Sequence, residues 1–262
     1  MNKIIQGNAY ELIKTIPDKS IDLIYTDIPY DMEGNGGGCF GSKKLEYHEE
    51  YQKVCENTES VSGVAKRTAK TADEIAEISF GIDYSILDEM VRVCKKIYVY
   101  IWCSKKQILP LMKYFVEEHN CMFEILTWHK ENPIPTCNNK YLSDTEYCLM
   151  FREKGTSLNN EGTFKTKFKY YVSPLNVTDK HKYGHPTCKP LEFTKNMILN
   201  STMPGDVVLD PFAGSGTTCV AAKDLGRNFI GFELLEKYVK IANDRLQGID
   251  QNGEVDLFSC SE

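Results

Sequence analysis

Apolar residues in this chain gather into short runs separated by longer stretches where they recur at helical spacing. Runs at residues 3–6, 21–25, 97–102, 123–128, 207–210 and 229–232 have the length and β-branched or aromatic content of buried strands. Between them, helices are predicted over 9–15, 83–95, 105–119, 190–201, 215–225 and 235–246, several closing near Gly or Pro. Residues 147–152 read as a seventh strand. A short connection across 131–145 joins it to the strand ending near Trp128, so that pair is expected to run antiparallel. Strands alternating with helices give an α/β fold, here a mostly parallel seven-stranded sheet with one antiparallel strand.

Two stretches break the alternation. Residues 31–80 start with Gly34-Asn35-Gly36-Gly37-Gly38 and continue with charged and small residues, and a loop of that length in a compact domain is functional or disordered. The second stretch, 154–189, is rich in Lys, Asn, Thr and Tyr. The chain is expected to be one domain, 1–262, with 31–80 as an insertion or lid loop. At 262 residues, with 42% hydrophobic content and a formal net charge of −6, it can bury a core. The same balance excludes a wholly basic nucleic-acid coat and a disordered chain, so any nucleic-acid site must be local. No apolar run approaches the roughly 20 residues that span a bilayer, and the start lacks the apolar stretch of a signal peptide. The expectation is a cytoplasmic protein with no membrane contact.

The ten cysteines form no CxxC pair, which argues against a metal cluster. Cys103, Cys148 and Cys219 fall inside apolar strand or helix patterns and read as reduced, structural residues. His48, His119 and His129 share no ligand spacing and read as surface or hydrogen-bonded histidines, so no metal site is expected. Trp102 and Trp128 sit at strand ends and read as core or cleft wall.

Candidate chemistry lies at two strand ends. Asp210-Pro211-Phe212-Ala213-Gly214-Ser215-Gly216-Thr217-Thr218 follows a buried strand and opens a helix, where open α/β sheets bind ligands. No Lys follows the second glycine and the third glycine of the dinucleotide fingerprint is missing, which points away from phosphates. Glu233 ends the next strand 23 positions after Asp210, close to the spacing at which an acid accepts hydrogen bonds from ribose hydroxyls. An adenosine-type ligand without phosphates fits this pair. At the other end, the strand 21–25 delivers Thr26-Asp27-Ile28-Pro29-Tyr30. The Asp27 carboxylate and the Ile28 carbonyl, held open by Pro29, are adjacent acceptors suited to one amino group, and the Tyr30 ring can stack on a base. Alone, such a tetrad is more often a turn.

In combination these segments carry a resemblance. Asp27 to Tyr30 resembles the D-P-P-Y motif of amino-group DNA methyltransferases, and Asp210 to Thr218 resembles their S-adenosylmethionine loop. His185-Pro186-Thr187-Cys188-Lys189-Pro190 resembles the segment that precedes the loop in the permuted subclass. The catalytic motif comes first and the cofactor loop last, as in the β-class of N6-adenine and N4-cytosine methyltransferases, with the match running from Ile4 to Leu246. The chain departs from the family at Ile28, where proline is usual.

The resemblance implies a single Rossmann-like, circularly permuted methyltransferase domain that uses S-adenosyl-L-methionine and methylates DNA. Asp27 and the Ile28 carbonyl would accept from the target amino group, and Pro29 and Tyr30 complete the tetrad, Tyr30 stacking on the flipped base. Asp210, Phe212, Gly214, Ser215, Gly216, Thr217 and Thr218 would line the methionine half of the cofactor and Glu233 would bind its ribose. Lys189 would pair with its carboxylate, and Asn8 and Ala9 would lie near its adenine. Asp rather than Ser at 27 favours adenine N6 over the alternative, cytosine N4; a catalytically weak DNA-binding relative is the third reading, prompted by Ile28. The host would be bacterial, or a bacterium carrying a phage. A homodimer and a restriction endonuclease stay open as partners.

The window from Thr163 to Lys189 carries about +5 in a chain of −6, with Phe164, Phe168, Tyr170, Tyr171 and Tyr183 among the lysines. Lys165, Lys167, Lys169, Lys180 and Lys182 are therefore the expected DNA contacts, and 154–184 the expected target-recognition segment. The insertion 31–80 is net acidic, with six basic and ten acidic residues, a poor general clamp on DNA. Asn132-Pro133-Ile134-Pro135 lacks a terminal aromatic and reads as a loop.

Overall fold

The computed structural model describes residues 1–31, 81–133, 141–175, 182–183 and 188–254. Its strands are β1 (Lys3–Gln6), β2 (Leu23–Asp27), β3 (Tyr98–Cys103), β4 (Met122–Lys130), β5 (Thr145–Arg152), β6 (Tyr170–Ser173), β7 (Val207–Asp210) and β8 (Asn228–Glu233). The helices are α1 (Ala9–Leu12), α2 (Ile86–Val93), α3 (Lys105–Met112), α4 (Leu191–Ser201), α5 (Thr217–Asp224) and α6 (Glu236–Leu246). All eight strands form one sheet, ordered β1-β8-β7-β2-β3-β5-β4-β6.

Every adjacent pair is parallel except the two made by β5, which runs antiparallel to β3 and to β4. The one antiparallel strand is thus the 147–152 run, paired with the strand ending near Trp128 as expected. The seven expected strands are joined by an eighth, β6, at the edge beside β4. Pattern reading passes over β6 because Tyr170 and Val172 are exposed on a strand that, among the described residues, pairs with β4 alone, so no continuous apolar run is required there.

The sheet centre explains why β2 and β3 read so clearly. All six residues of β3 are buried, and Leu23, Ile24, Tyr25 and Thr26 of β2 are buried beside them. The helix α4 covers this region with Phe193, Met197 and Ile198. Its Thr194 hydroxyl lies 3.1 Å from that of Tyr25, which accepts from Trp102 Nε1 at 2.7 Å. The buried polar atoms of Tyr25 and Trp102 therefore satisfy one another.

Register positions the chemistry. Gln6 pairs with Glu233, Asp210 with Gly231 and Asp27 with Trp102. The carboxyl ends of β1, β8, β7 and β2 consequently lie side by side at the carboxyl-terminal end of the sheet, the position at which open α/β sheets bind ligands. By compactness residues 1–28 and 83–262 form one unit and 29–82 another. In the smaller unit the Gly81 N–H donates to the Tyr30 carbonyl at 3.2 Å, and 32–80 lie outside the described residues. Among the described residues no helix is long and apolar enough to cross a membrane.

Candidate active site

The glycine loop is built around Asp210. Its Oδ1 accepts from Thr26 Oγ1 at 2.7 Å and from the Phe212 N–H at 3.1 Å, and its Oδ2 accepts from Thr218 Oγ1 at 2.6 Å. One carboxylate thereby ties the end of β2, the loop and the first turn of α5 together. Every one of these donors is neutral, and burial pushes the Asp210 carboxyl up to about 6. The loop needs glycine at 216, which has φ +75°, and a Cβ there would lie 2.9 Å from Ala242 Cβ in α6. Ser215, Thr217 and Thr218 are buried; Arg245 of α6 donates to the Ser215 hydroxyl at 3.1 Å and to the Thr217 hydroxyl at 2.8 Å. These hydroxyls brace the loop and leave its backbone as the surface a ligand meets.

Glu233 closes the loop from β8. Its Oε2 accepts from the Gly214 N–H at 3.0 Å and its Oε1 from the Leu235 N–H at 2.8 Å. Burial still raises its pKa, so the carboxylate is partly desolvated and would gain from further donors. A carboxylate offers about four acceptor positions, which leaves capacity for a pair of vicinal hydroxyls. The donor set therefore fits S-adenosylmethionine: an acceptor for a ribose, a lysine-free glycine loop, and the Phe212 ring beside Tyr10 at 6.3 Å between centroids. Asn8 caps α1, its Oδ1 accepting from the Tyr10 N–H, and Ala9 is buried in the first turn.

Asp27 ends β2 in a different environment. Lys189 Nζ lies 2.6 Å from its Oδ2 and 3.0 Å from Oε2 of Glu146 in β5. Lys130 of β4 reaches the other oxygen of Glu146 at 2.6 Å. Lys189 is buried and its ammonium stands 5.3 Å over the Trp102 ring. The two lysines hold the Glu146 carboxyl down to about 2 against the opposing effect of burial, and the two carboxylates hold Lys189 protonated. Removing one partner of such a buried set costs about 3–5 kcal/mol, because a charge is left uncompensated. The expected partner of Lys189 was a methionine carboxylate; in the structure its ammonium is engaged by two side chains of the protein.

Ile28 is buried and its N–H donates to the Trp102 carbonyl at 3.3 Å, extending the β2–β3 ladder by one residue. Proline at this position has no such donor, so the chain exchanges ring rigidity for a ladder bond. Sequence reasoning passed over Glu146, Lys130, Thr26 and Arg245. The available signal was Glu146 itself, a charge in phase with the buried Cys148 and Met150, which demands a partner.

Lys165, Lys167 and Lys169 are exposed in the segment that leads into the edge strand β6, where Phe164, Phe168 and Tyr170 are also exposed and Phe168 stacks on Tyr170 at 5.6 Å. Lys169 pairs with Glu124 at 2.5 Å and Lys189 is internal, so the outward basic character of this window is weaker than its composition. Lys182 lies over the Tyr183 ring at 5.3 Å. Lys180, His48, the segment 185–187 and most of 31–80 lie outside the described residues. The same holds for Ile134 and Pro135. His129 bonds Thr127 at 2.9 Å and Thr145 at 3.2 Å, and His119 packs on Tyr114. The six described cysteines are buried free thiols, and no group of potential metal ligands occurs among the described residues.

Comparison with known proteins gives the site its setting. The N6/N4 methyltransferase family model, described as DNA methylase, matches residues 21–244. The Type II methyltransferase M.HinfI of Haemophilus influenzae is 31% identical, over 99% of this chain and 72% of its own length. M2.DpnII of Streptococcus pneumoniae is 28% identical, over 93% and 89%. Among solved structures, the M1.HpyAVI–SAM complex superposes with a TM-score of 0.59 at 24% identity, covering 93% of this chain and 98% of that one. The cytosine-N4-specific PvuII DNA methyltransferase does so at 0.59 and 17%, covering 96% and 93%. At these identities the two structures speak to the fold alone.

Proposed function

Since the chain belongs to the N6/N4 family of DNA methylases, we propose that this S-adenosylmethionine-dependent DNA methyltransferase transfers its methyl group to the N6 amino group of adenine. The observation that carries the reading is the juxtaposition at the carboxyl ends of β2 and β7: Asp27 ends the strand beside the Asp210 loop, and Thr26 bonds Asp210 directly. An acceptor for an amino group and a cofactor loop are thereby coupled through one hydrogen bond.

Asp27 and the carbonyl of Ile28 accept the two N–H bonds of the target amino group. Its nitrogen lone pair is delocalised into the ring; gripping both hydrogens turns the nitrogen toward tetrahedral geometry and frees the lone pair for in-line attack. Tyr30 stacks on the extruded base. The bound cofactor would supply an electrophilic methyl on a sulfonium: as the N–C bond forms the methyl–sulfur bond breaks, leaving a neutral thioether, and the amino group sheds one proton. Glu233 accepts from its ribose, the backbone of Phe212, Gly214, Ser215, Gly216 and Thr217 surrounds the methionine half, and Asn8 and Ala9 flank the adenine. Asp210 and Thr218 act one step back, by holding the loop. Asp at 27, where the cytosine-specific members of the family favour Ser, supports adenine. Exposed Lys165, Lys167 and Lys169, with Lys180 and Lys182, are the proposed phosphate contacts, and 154–184 the proposed recognition segment of one methyltransferase domain carrying 31–80 as a lid.

The test is transfer of tritium from labelled cofactor to unmethylated duplex DNA, followed by digestion and separation of the nucleosides. Label in N6-methyl-2′-deoxyadenosine is expected; label in N4-methyl-2′-deoxycytidine would replace adenine by cytosine, and no label would leave a DNA-binding relative without turnover.

A further inference from the structure

We propose that Lys189 is a positioning residue for Asp27 and that Glu146 fixes Lys189 in that role, a step that rests on reading Asp27 as the acceptor of the target amino group. The four charges Asp27, Lys189, Glu146 and Lys130 alternate in sign and sum to zero, and they come from β2, the segment entering α4, β5 and β4. Such a line across three strands and a loop defines the direction of each member more closely than any single pair.

A carboxylate at a strand end can rotate about its side-chain torsions. Anchoring Oδ2 at 2.6 Å fixes the plane of the group and so the direction from which the target amino group must approach. The anchor is itself held on several sides. Lys189 precedes Pro190, which restricts its backbone to extended conformations, and its ammonium sits over Trp102. Glu146 has a second function. An ammonium paired with Asp27 alone would draw charge from it and weaken its hydrogen bond to the substrate, whereas an ammonium shared between two carboxylates leaves Asp27 both ionised and basic.

Among the described residues, the groups that face Asp27 include Tyr25 on its own strand, Cys103 of β3, Cys148 of β5, Asp210 of β7, and Lys189 with Glu146. Burial raises both thiols and the phenol, so they stay neutral in the working range. Asp210 titrates near 6 but is common to all the variants below.

The experiment measures kcat, the KM for S-adenosylmethionine and the pH dependence from 5 to 8.5 with the full chain and unmethylated plasmid DNA. Lys189→Met, Lys189→Arg, Glu146→Gln and the double variant Lys189→Met/Glu146→Gln are compared with wild type. Lys189→Met should lower kcat by about 30-fold or more with the cofactor KM within about threefold, and its acid limb should move up by about one pH unit, because Asp27 loses its cation. Lys189→Arg should restore part of the rate. Glu146→Gln should move the acid limb the other way, since Lys189 then acts on Asp27 alone. The double variant leaves no unpaired Glu146 and serves if Lys189→Met does not fold; it should be slow, with an acid limb between those of the singles. Wild-type rate and acid limb in the Lys189 variants would overturn the proposal. So would a tenfold or greater loss of cofactor affinity by calorimetry with an unmoved acid limb, which would return Lys189 to the methionine carboxylate. In either case label transfer by wild type leaves the reading of Asp27 standing; absence of transfer by wild type removes that reading and the proposal together.

Discussion

Asp27 and Asp210 end adjacent parallel strands, yet the protein treats their carboxylates in opposite ways. Asp210 is enclosed by two hydroxyls and a backbone N–H, all neutral, and burial pushes it up to about 6. Asp27 receives a full ammonium, itself balanced by Glu146. Neutral donors suffice for a group whose work is to hold a loop in shape; a group that must meet substrate as an anion gains from a fixed cation. The same residue type thus serves construction at one strand end and, on our reading, reaction at the next.

The comparison breaks most visibly at Asp27. Asp27→Ala and the nearly isosteric Asp27→Asn should lower methyl transfer at least about a hundredfold, since a charge-assisted bond and the alignment of the nucleophile go together. Cofactor affinity by calorimetry should change little. A loss of affinity as large as the loss of rate would place Asp27 in the cofactor site instead.

The Asp210 side predicts a pH effect of definite sign. Its folded pKa, about 6, lies above the usual 3.8, so protonation favours the folded state. The stability it contributes is complete below about pH 4 and is lost as pH rises through 6, a change of up to about 3 kcal/mol. Denaturant unfolding of wild type should show that decline relative to Asp210→Asn, which lacks the titration. Glu146, held down to about 2, acts in the reverse sense: its contribution is present above the usual 4.5 and lost only as pH falls toward 2. Parallel curves for wild type and Asp210→Asn between pH 4 and 7 would show that Asp210 is not the titrating group.

A smaller effect is expected at Glu233, which serves both regions' common ligand. Glu233→Ala should weaken S-adenosylmethionine binding by about tenfold, the equivalent of one lost charged hydrogen bond, and leave kcat at saturating cofactor within a few-fold of wild type. Unchanged affinity would remove the ribose from this carboxylate.

The difference between the regions also decided how far each could be read from sequence. The Asp210 loop is local: strand, glycines and helix lie within 18 consecutive residues, and Glu233 follows on the next strand, so spacing carried the geometry. The strand that delivers Asp27 was equally clear, because Leu23 to Thr26 are buried. Its electrostatic setting was not, since Lys189 lies 162 positions away and Glu146 belongs to the antiparallel strand. Long-range ion pairs leave no periodic trace. The edge strand β6 escaped for a related reason: with Tyr170 and Val172 facing solvent, no apolar phase marks it.

The finest test concerns Ile28, the one position of the tetrad that departs from the family pattern. Its proposed contribution is a backbone carbonyl, which any residue supplies, while its N–H closes the ladder to Trp102 and its side chain fills the core. Ile28→Pro should therefore keep kcat within about threefold of wild type, the pyrrolidine ring still presenting the carbonyl. Stability should fall by about 1–3 kcal/mol, for the lost N–H···O bond and the altered packing. The split is what tests the assignment: rate is measured at saturating cofactor and DNA at a temperature where both proteins are folded, and stability by denaturant titration. A folded variant that loses activity as severely as Asp27→Ala would mean that the N–H of residue 28, through the register it fixes between β2 and β3, is part of how Asp27 is aimed.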